Sequence, residues 1–122
     1  MDDIQEVLWQ QFEIEVSEHL DILERELGSP DNASAPDAIA TIFRSFHSTK
    51  GLGAAMGVTS VEALSHSAES LFAQVRDGHR ALDAGLAETL LQVVDALRAM
   101  VPEAVAQRGD ATERNDLLEL LA

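Results

Sequence analysis

His47 and Lys50 lie one helical turn apart, and their types and spacing fit a reaction better than any other pair in this sequence. The helical pattern around them predicts a buried stripe of Ile39, Ile42, Phe43 and Phe46. His47 follows Phe46 by about 100° of rotation, so we expect its imidazole to face solvent. A neutral imidazole held in one tautomer is a nucleophile. The pair therefore predicts a histidine that accepts a group on one ring nitrogen, with a lysine nearby to offset negative charge.

A second histidine and two carboxylates share a strip on the next predicted helix, at Glu62, His66 and Glu69. If the two helices are antiparallel neighbours, His66 and Glu69 face His47. Glu69 would then accept the Nδ1 proton and leave the Nε2 lone pair pointing outward. Phosphoryl transfer needs mainly positioning and charge stabilisation, which such a cluster supplies. The chain has no glycine-rich loop to hold nucleotide phosphates. We therefore expect His47 to accept and donate phosphate, without a metal or nucleotide bound by this domain.

The elements that must position these residues are predicted to be helices. No segment alternates as a strand does, whereas apolar residues recur at three- and four-residue spacing along most of the chain. Proline, aspartate, asparagine and serine make 29–35 a predicted loop. The sequence predicts an all-α fold, an antiparallel four-helix up-down bundle with a short fifth C-terminal helix. The predicted helices cover about 3–27, 36–53, 60–77, 84–107 and 112–121.

Several finer features of these helices can be predicted from local chemistry. Leu8 opens the apolar stripe of the first helix. Thr59 begins the third helix, with Glu62 three residues later as a capping box. Pro102 should kink or end the fourth helix, because proline has no N–H and clashes with the preceding turn. Thr112 can cap the last helix.

Composition restricts the classes of function. The chain has 122 residues, enough for one domain, and 22 acidic against 8 basic residues give a formal charge of −14. That charge argues against nucleic acid and anionic lipid as partners. The chain has no cysteine, which excludes disulfides and thiolate metal sites. The acidic N-terminus and the lack of a long apolar run favour a cytoplasmic protein without a membrane span. We also expect a monomer, because the apolar stripes of the helices can be buried against one another within one chain.

The segment from His47 to Gly51, followed by Gly57, resembles the phospho-accepting motif of histidine phosphotransfer (HPt) domains. The wider pattern is most similar to the N-terminal phosphotransfer domain of CheA-type chemotaxis histidine kinases. Residues 42–44 precede the histidine as they do in that family. Residues 66–71 match its second His-x-x-Glu element, and 76–78 resemble the turn that follows. The resemblance spans about residues 3–105.

This resemblance implies a cytoplasmic helical bundle in a two-component phosphorelay. His47 would be phosphorylated by a kinase catalytic domain and would pass the phosphate to an aspartate on a response-regulator receiver. ATP and Mg²⁺ would be bound by the partner domains, so the chain itself would be a phosphocarrier. The resemblance also implies roles for Glu69 and His66 as hydrogen-bonding neighbours and for Lys50 as charge partner.

A docking surface is expected around the histidine, formed by Arg44, Ser48, Gly51 and Leu52. Gly51 offers no side chain to obstruct an approaching surface. Leu52 departs from the family, which often has a second small residue after the lysine-glycine pair. The full kinase's other domains are absent from this sequence, which fits either a fragment or a module of a larger kinase.

Two other functions fit part of the pattern. A helical module that docks a receiver without carrying phosphate needs the same surface but not His47. A metal-carboxylate four-helix bundle needs Glu-x-x-His on two helices and inward-facing carboxylates. Here the order is reversed, from His66 to Glu69, it occurs once, and the core stripes are apolar. The sequence therefore disfavours the metal bundle.

Overall fold

The computed structural model describes residues 2–122, apart from the side chains of Asp2, Pro30 and Asn32. Its described residues form helices and connecting turns. The helices are α1 (Asp2–Leu27), α2 (Pro30–Ala33), α3 (Pro36–Ala55), α4 (Thr59–Arg76), α5 (Ala84–Gln107) and α6 (Asn115–Leu121).

The four long helices form an antiparallel bundle. Helix α1 packs against α3 and α5, α4 packs against the same two helices, and α6 lies against α4. The direction of α5 relative to α1 is visible in two ion pairs, because Arg98 bonds to Asp21 while Arg108, directly after the end of α5, bonds to Glu6 near the start of α1. The predicted all-α bundle with a short C-terminal helix is confirmed.

The core follows the predicted apolar stripes, except that Ile39 and Phe43 of α3 are only half-buried and that one position of α1 differs. In α4 and α5 every predicted stripe residue is buried. In α1, Leu8 is exposed and Trp9 is buried in its place, packed edge-on against Phe12. Trp9 and Phe12 are three residues apart and face the same side of the helix, whereas Leu8 lies 100° away from Trp9. The larger aromatic ring therefore takes the core position.

Helix α5 runs from Ala84 to Gln107, which are the predicted bounds, and Pro102 lies inside the helix without ending it. Other helix ends differ from the prediction. Part of the predicted loop 29–35 forms the single turn α2. Helix α6 begins at Asn115, because the backbone N–H and hydroxyl of Thr112 both bond to Glu103 of α5 instead of capping α6.

The start of α4 is held by a residue that is distant in sequence. Thr59 and Glu62 make no capping box, so that prediction was wrong. Instead, the carboxylate of Asp110, in the loop after α5, accepts from the hydroxyl of Thr59 at 2.8 Å and from the backbone N–H of Ser60 at 2.9 Å. It also accepts from the hydroxyl of Ser60 and the N–H of Ala111. One of the unpaired N–H groups of this helix end, that of Ser60, is thus satisfied by a tertiary contact.

A glycine sets the distance between α3 and α4. A Cβ added at Gly53 would lie 3.0 Å from the backbone nitrogen of Glu62 and 3.1 Å from Cγ1 of Val61. A larger side chain at this buried position would separate the two helices. The chain then reverses at Gly57, whose φ of 71° favours glycine. Because α3 and α4 approach closely at Gly53, side chains of the two helices near this point also face each other.

We expect Asp110→Ala to lower the free energy of unfolding by about 1 kcal/mol, as the loss of a helix cap does. The contribution of Asp110 to the stability of the wild-type protein should also depend on pH. Partial burial raises the pKa of Asp110, but hydrogen bonds from Ser60, Thr59 and Ala111 outweigh it and lower the pKa to about 2. A lowered folded-state pKa gives stability that is complete above the unfolded value and is lost as the pH falls toward 2. Urea unfolding at several pH values measures both effects.

Asp95→Ala is the matched control, because it removes the same charge from an exposed site in the middle of α5. It should stay within about 0.5 kcal/mol of wild type. Equal losses in the two variants, or no loss in Asp110→Ala, would contradict the capping role.

Candidate functional site

His47 lies on the outer surface of α3, next to α4. Its neighbours Phe46 and Thr49 are buried in the bundle, and the helical rotation between them turns His47 outward. The His47 side chain is 62% exposed. The sequence prediction that this imidazole faces solvent is therefore confirmed.

One edge of the ring is held by the neighbouring helix. Nδ1 of His47 makes a short hydrogen bond with Oε2 of Glu69 on α4, whose side chain is only 10% exposed. An ionised carboxylate can only accept, so the shared proton lies on Nδ1 when the imidazole is neutral. This is the contact predicted from the sequence.

The same carboxylate also binds the predicted lysine. Nζ of Lys50 donates to Oε1 of Glu69 at 2.7 Å. Glu69 therefore bridges His47 and Lys50, two residues of α3 that lie one turn apart, with one oxygen on each. The bridge fixes the carboxylate in a single orientation and joins α3 to α4 at the surface of the bundle.

The bridge favours the ionised form of Glu69. Burial raises the pKa of this carboxyl, but the hydrogen bonds and positive charge of Lys50, together with the hydrogen bond from His47, outweigh burial and leave the pKa below its usual range. Glu69 therefore remains an acceptor for Nδ1 at neutral pH.

With Nδ1 occupied, the remaining ring nitrogen is available for chemistry. Within the described residues, nothing hydrogen-bonds to Nε2 of His47. An imidazole with its proton on Nδ1 carries its lone pair on Nε2, and here most of the side chain is exposed. The arrangement suits a nucleophile that reacts with a group presented by another molecule.

The ring of Phe43 lies beside the imidazole in an offset, nearly parallel arrangement. The two rings are nearly parallel, with an interplanar angle of 11° and centroids 6.3 Å apart. The guanidinium of Arg76, at the end of α4, lies over the Phe43 ring at 4.3 Å from its centroid. The sequence assigned Phe43 to the core stripe and gave no role to Arg76. The i to i+4 spacing of Phe43 and His47 was the available signal for the stacking.

The other predicted site residues are placed differently. His66 is exposed on α4, one turn before Glu69, and makes no hydrogen bond to His47 in the described part of the chain. Arg44 and Gly51 are exposed on either side of His47 along α3. Ser48 and Leu52 are half-buried, and Leu52 packs against the core.

An apolar groove of about 340 Å³ opens beside this surface. Residues of α3 form its floor, and Arg44 and Arg76 stand at its edge. Its lining residues are Pro36, Ile39, Ala40, Phe43, Arg44 and Arg76. The groove reaches Phe43, so it is continuous with the surface that carries His47.

The described residues contain no group of three or more histidine, cysteine, aspartate or glutamate side chains that could hold a metal ion. No described helix is both long and apolar enough to cross a membrane.

Comparisons with known proteins point to one family. Residues 7–100 match the family model of the Hpt domain. The chemotaxis protein CheA of Borreliella burgdorferi is 32% identical over 83 residues, which are 67% of this chain and 10% of that protein. CheA of Listeria monocytogenes is 32% identical over 93 residues, which are 73% of this chain and 15% of that protein. The chain thus spans only a small part of the length of these relatives.

A solved structure is similar over almost the whole fold. The phosphorylated P1 domain of CheA3 from R. sphaeroides, crystallised in complex with CheY6, superposes with a TM-score of 0.88 at 29% sequence identity. The match covers 95% of this chain and 93% of that one.

We expect Glu69→Ala to change the tautomer of His47. Without the carboxylate, Nδ1 loses its acceptor and the proton of the neutral ring moves largely to Nε2, which faces water. The ¹⁵N chemical shifts of the two ring nitrogens, measured at a pH where the imidazole is neutral, report the tautomer. His79, exposed in the turn after α4, is an internal control whose shifts should not move. An unchanged His47 tautomer would contradict the assigned contact.

Proposed function

The chain belongs to the Hpt domain family, and from that premise we propose that His47 accepts a phosphoryl group from a kinase and passes it to an aspartate of a response-regulator receiver. The observation that carries the proposal is an exposed imidazole whose Nδ1 is bonded to Glu69 and whose Nε2 has no hydrogen bond within the described residues. The CheA3 P1 domain, which shares this fold, is itself phosphorylated and bound to a CheY protein.

In the first step the Nε2 lone pair forms a bond to the γ-phosphorus of ATP held by the kinase domain. The bond from that phosphorus to the β,γ-bridging oxygen breaks, and ADP leaves with the electron pair. The ring becomes cationic as the N–P bond forms, and Glu69 stabilises this charge through the Nδ1 proton. We expect the nucleotide and Mg²⁺ to be held by the partner domains.

In the second step a carboxylate oxygen of the receiver aspartate attacks the same phosphorus. The N–P bond breaks and its electron pair returns to Nε2, which restores the neutral imidazole. The proton stays on Nδ1 throughout, hydrogen-bonded to Glu69, so the domain is ready for another cycle without exchanging a proton with water. The domain thus acts as a carrier between two partners.

Lys50 contributes through its charge. It is bonded to Glu69, which keeps that carboxylate ionised, and its ammonium lies one helical turn from the reacting ring. Positive charge near a transferring phosphoryl group stabilises the charge that it carries. This supports the role expected from the sequence.

Charge complementarity supports a receiver as the docking partner. Arg44, Lys50 and Arg76 are three of the 8 basic residues in a chain with 22 acidic ones, and they gather around His47. A receiver presents an acceptor aspartate and the carboxylates that hold Mg²⁺. We therefore assign docking to this basic, partly apolar surface, including Ser48, Gly51 and Leu52.

The direct test is phosphorylation by the ATP-binding domain of a CheA-type kinase with labelled ATP. Wild type should gain an acid-labile, base-stable label, and His47→Gln should gain none. His79→Gln, which changes an exposed histidine outside the site, is the control and should be labelled normally. A label that survives His47→Gln would reject the site. The absence of label in wild type, with receiver binding retained, would favour the docking module without phosphotransfer.

We expect Gly51→Ala to stabilise the fold and slow the reaction. A Cβ at this exposed site meets nothing within 4 Å, so alanine should raise the free energy of unfolding by about 0.5 to 1 kcal/mol. The methyl group lies one turn from His47 and would hold a docked surface away, lowering kcat/KM for transfer to a receiver by about tenfold. Stopped-flow transfer and urea unfolding measure the two effects.

Gly85→Ala is the matched control, because it makes the same change at the exposed start of α5, where the added Cβ meets only ordinary contacts. It should leave the rate of transfer unchanged. Unaltered transfer in Gly51→Ala would show that this side of α3 stays outside the docked surface.

A further inference from the structure

The bond to Glu69 restrains His47 at a single point. The terminal torsion of a histidine side chain is broad, so the ring can swing about one hydrogen bond while keeping it. In-line transfer needs more than a correct tautomer, because the Nε2 lone pair must point at the phosphorus. A second contact is therefore needed to fix the plane of the ring.

Phe43 makes that contact. It precedes His47 by one turn of α3, and its ring is nearly parallel to the imidazole, at a centroid distance typical of offset aromatic pairs. Phe43 is half-buried and packs against the core, whereas the imidazole is mostly exposed. The better anchored ring therefore limits the movement of the exposed one.

Phe43 is in turn covered by a residue of the other helix. The guanidinium of Arg76 lies 4.3 Å above the Phe43 ring, within the range of a cation–π contact. Arg76 is itself held by Asp77, whose carboxylate accepts from Nε at 3.0 Å. The sequence of contacts runs from Asp77 to Arg76, to Phe43 and to His47, and it reaches the imidazole from a different side than Glu69 does.

We propose that Phe43, held in place by Arg76, is a positioning residue that fixes the plane of the His47 ring so that Nε2 points at the transferred phosphorus. The inference rests on the proposed phosphotransfer at His47 and assigns two residues to it. Glu69 sets which nitrogen carries the proton, and Phe43 sets where the other nitrogen points. Neither Phe43 nor Arg76 takes a proton or touches the phosphoryl group.

The test compares two phosphoryl donors: a kinase domain, which must dock on the protein, and the small molecule phosphoramidate, which does not dock. Phe43→Leu keeps an apolar side chain against the core but removes the flat surface. Phosphorylation by the CheA-type kinase domain should fall about tenfold in kcat with KM unchanged, because the ring is misdirected within an intact complex. Phosphoramidate can approach the ring from any direction as its P–N bond to ammonia breaks. Its rate of labelling His47 should stay within about twofold of wild type.

Arg76→Met is the second variant, and it leaves Phe43 itself intact. Methionine keeps a long apolar chain but removes the cation, so kcat should fall by about threefold, again without a change in KM. Arg80→Met is the control, since it removes the same charge from an exposed residue beyond α4 with no contact to Phe43. Phe43→Tyr, which restores a flat ring, should recover most of the rate. Melting temperatures identify any variant that fails to fold, and Arg76→Met then decides alone.

Each other outcome overturns the proposal. A raised KM with kcat unchanged would make Phe43 a docking residue. An equal loss with phosphoramidate would place the defect in the reactivity of the imidazole or in the fold. Rates equal to wild type would leave the stacking without a function. A wild-type chain that takes no label from either donor would instead reject phosphotransfer at His47, so failure of the two hypotheses can be told apart.

Discussion

One carboxylate holds the site together. Glu69 is nearly buried at the junction of α3 and α4, and its two oxygens bind two different side chains of the facing helix. A buried carboxylate without partners would be unfavourable, so the contacts with His47 and Lys50 offset the cost of burying Glu69. The same contacts keep Glu69 ionised and hold the proton of the neutral His47 ring on Nδ1. The position of Glu69 and the state of the imidazole therefore depend on the same pair of hydrogen bonds.

The rest of the bundle places the two ends of that bridge. Gly53 lets α3 and α4 approach closely, so a residue on one helix can reach the surface of the other. Asp110 fixes the start of α4, although it comes from the far side of α5. Neither residue touches His47. Each contributes by keeping α4 at the distance and rotation that place Glu69 opposite the imidazole.

Much of this arrangement could be predicted from the sequence, because it follows from helical periodicity. The outward turn of His47 and the facing position of Glu69 follow from residue spacing in two antiparallel helices. The cap from Asp110 could not be predicted, since it joins residues fifty positions apart and no local pattern marks it. Trp9 is buried where Leu8 was predicted, and this difference depended on which of two adjacent apolar residues packs better. The contact of Arg76 with Phe43 depends on the exact rotation of α4, which periodicity does not fix.

The exposure of His47 has a consequence for its phosphorylated form. The same exposure that would let a partner reach the ring also leaves the ring open to water. Under the proposed function, a phosphorus–nitrogen bond formed there would be open to hydrolysis, so loss of the phosphoryl group to water would compete with its delivery to a receiver.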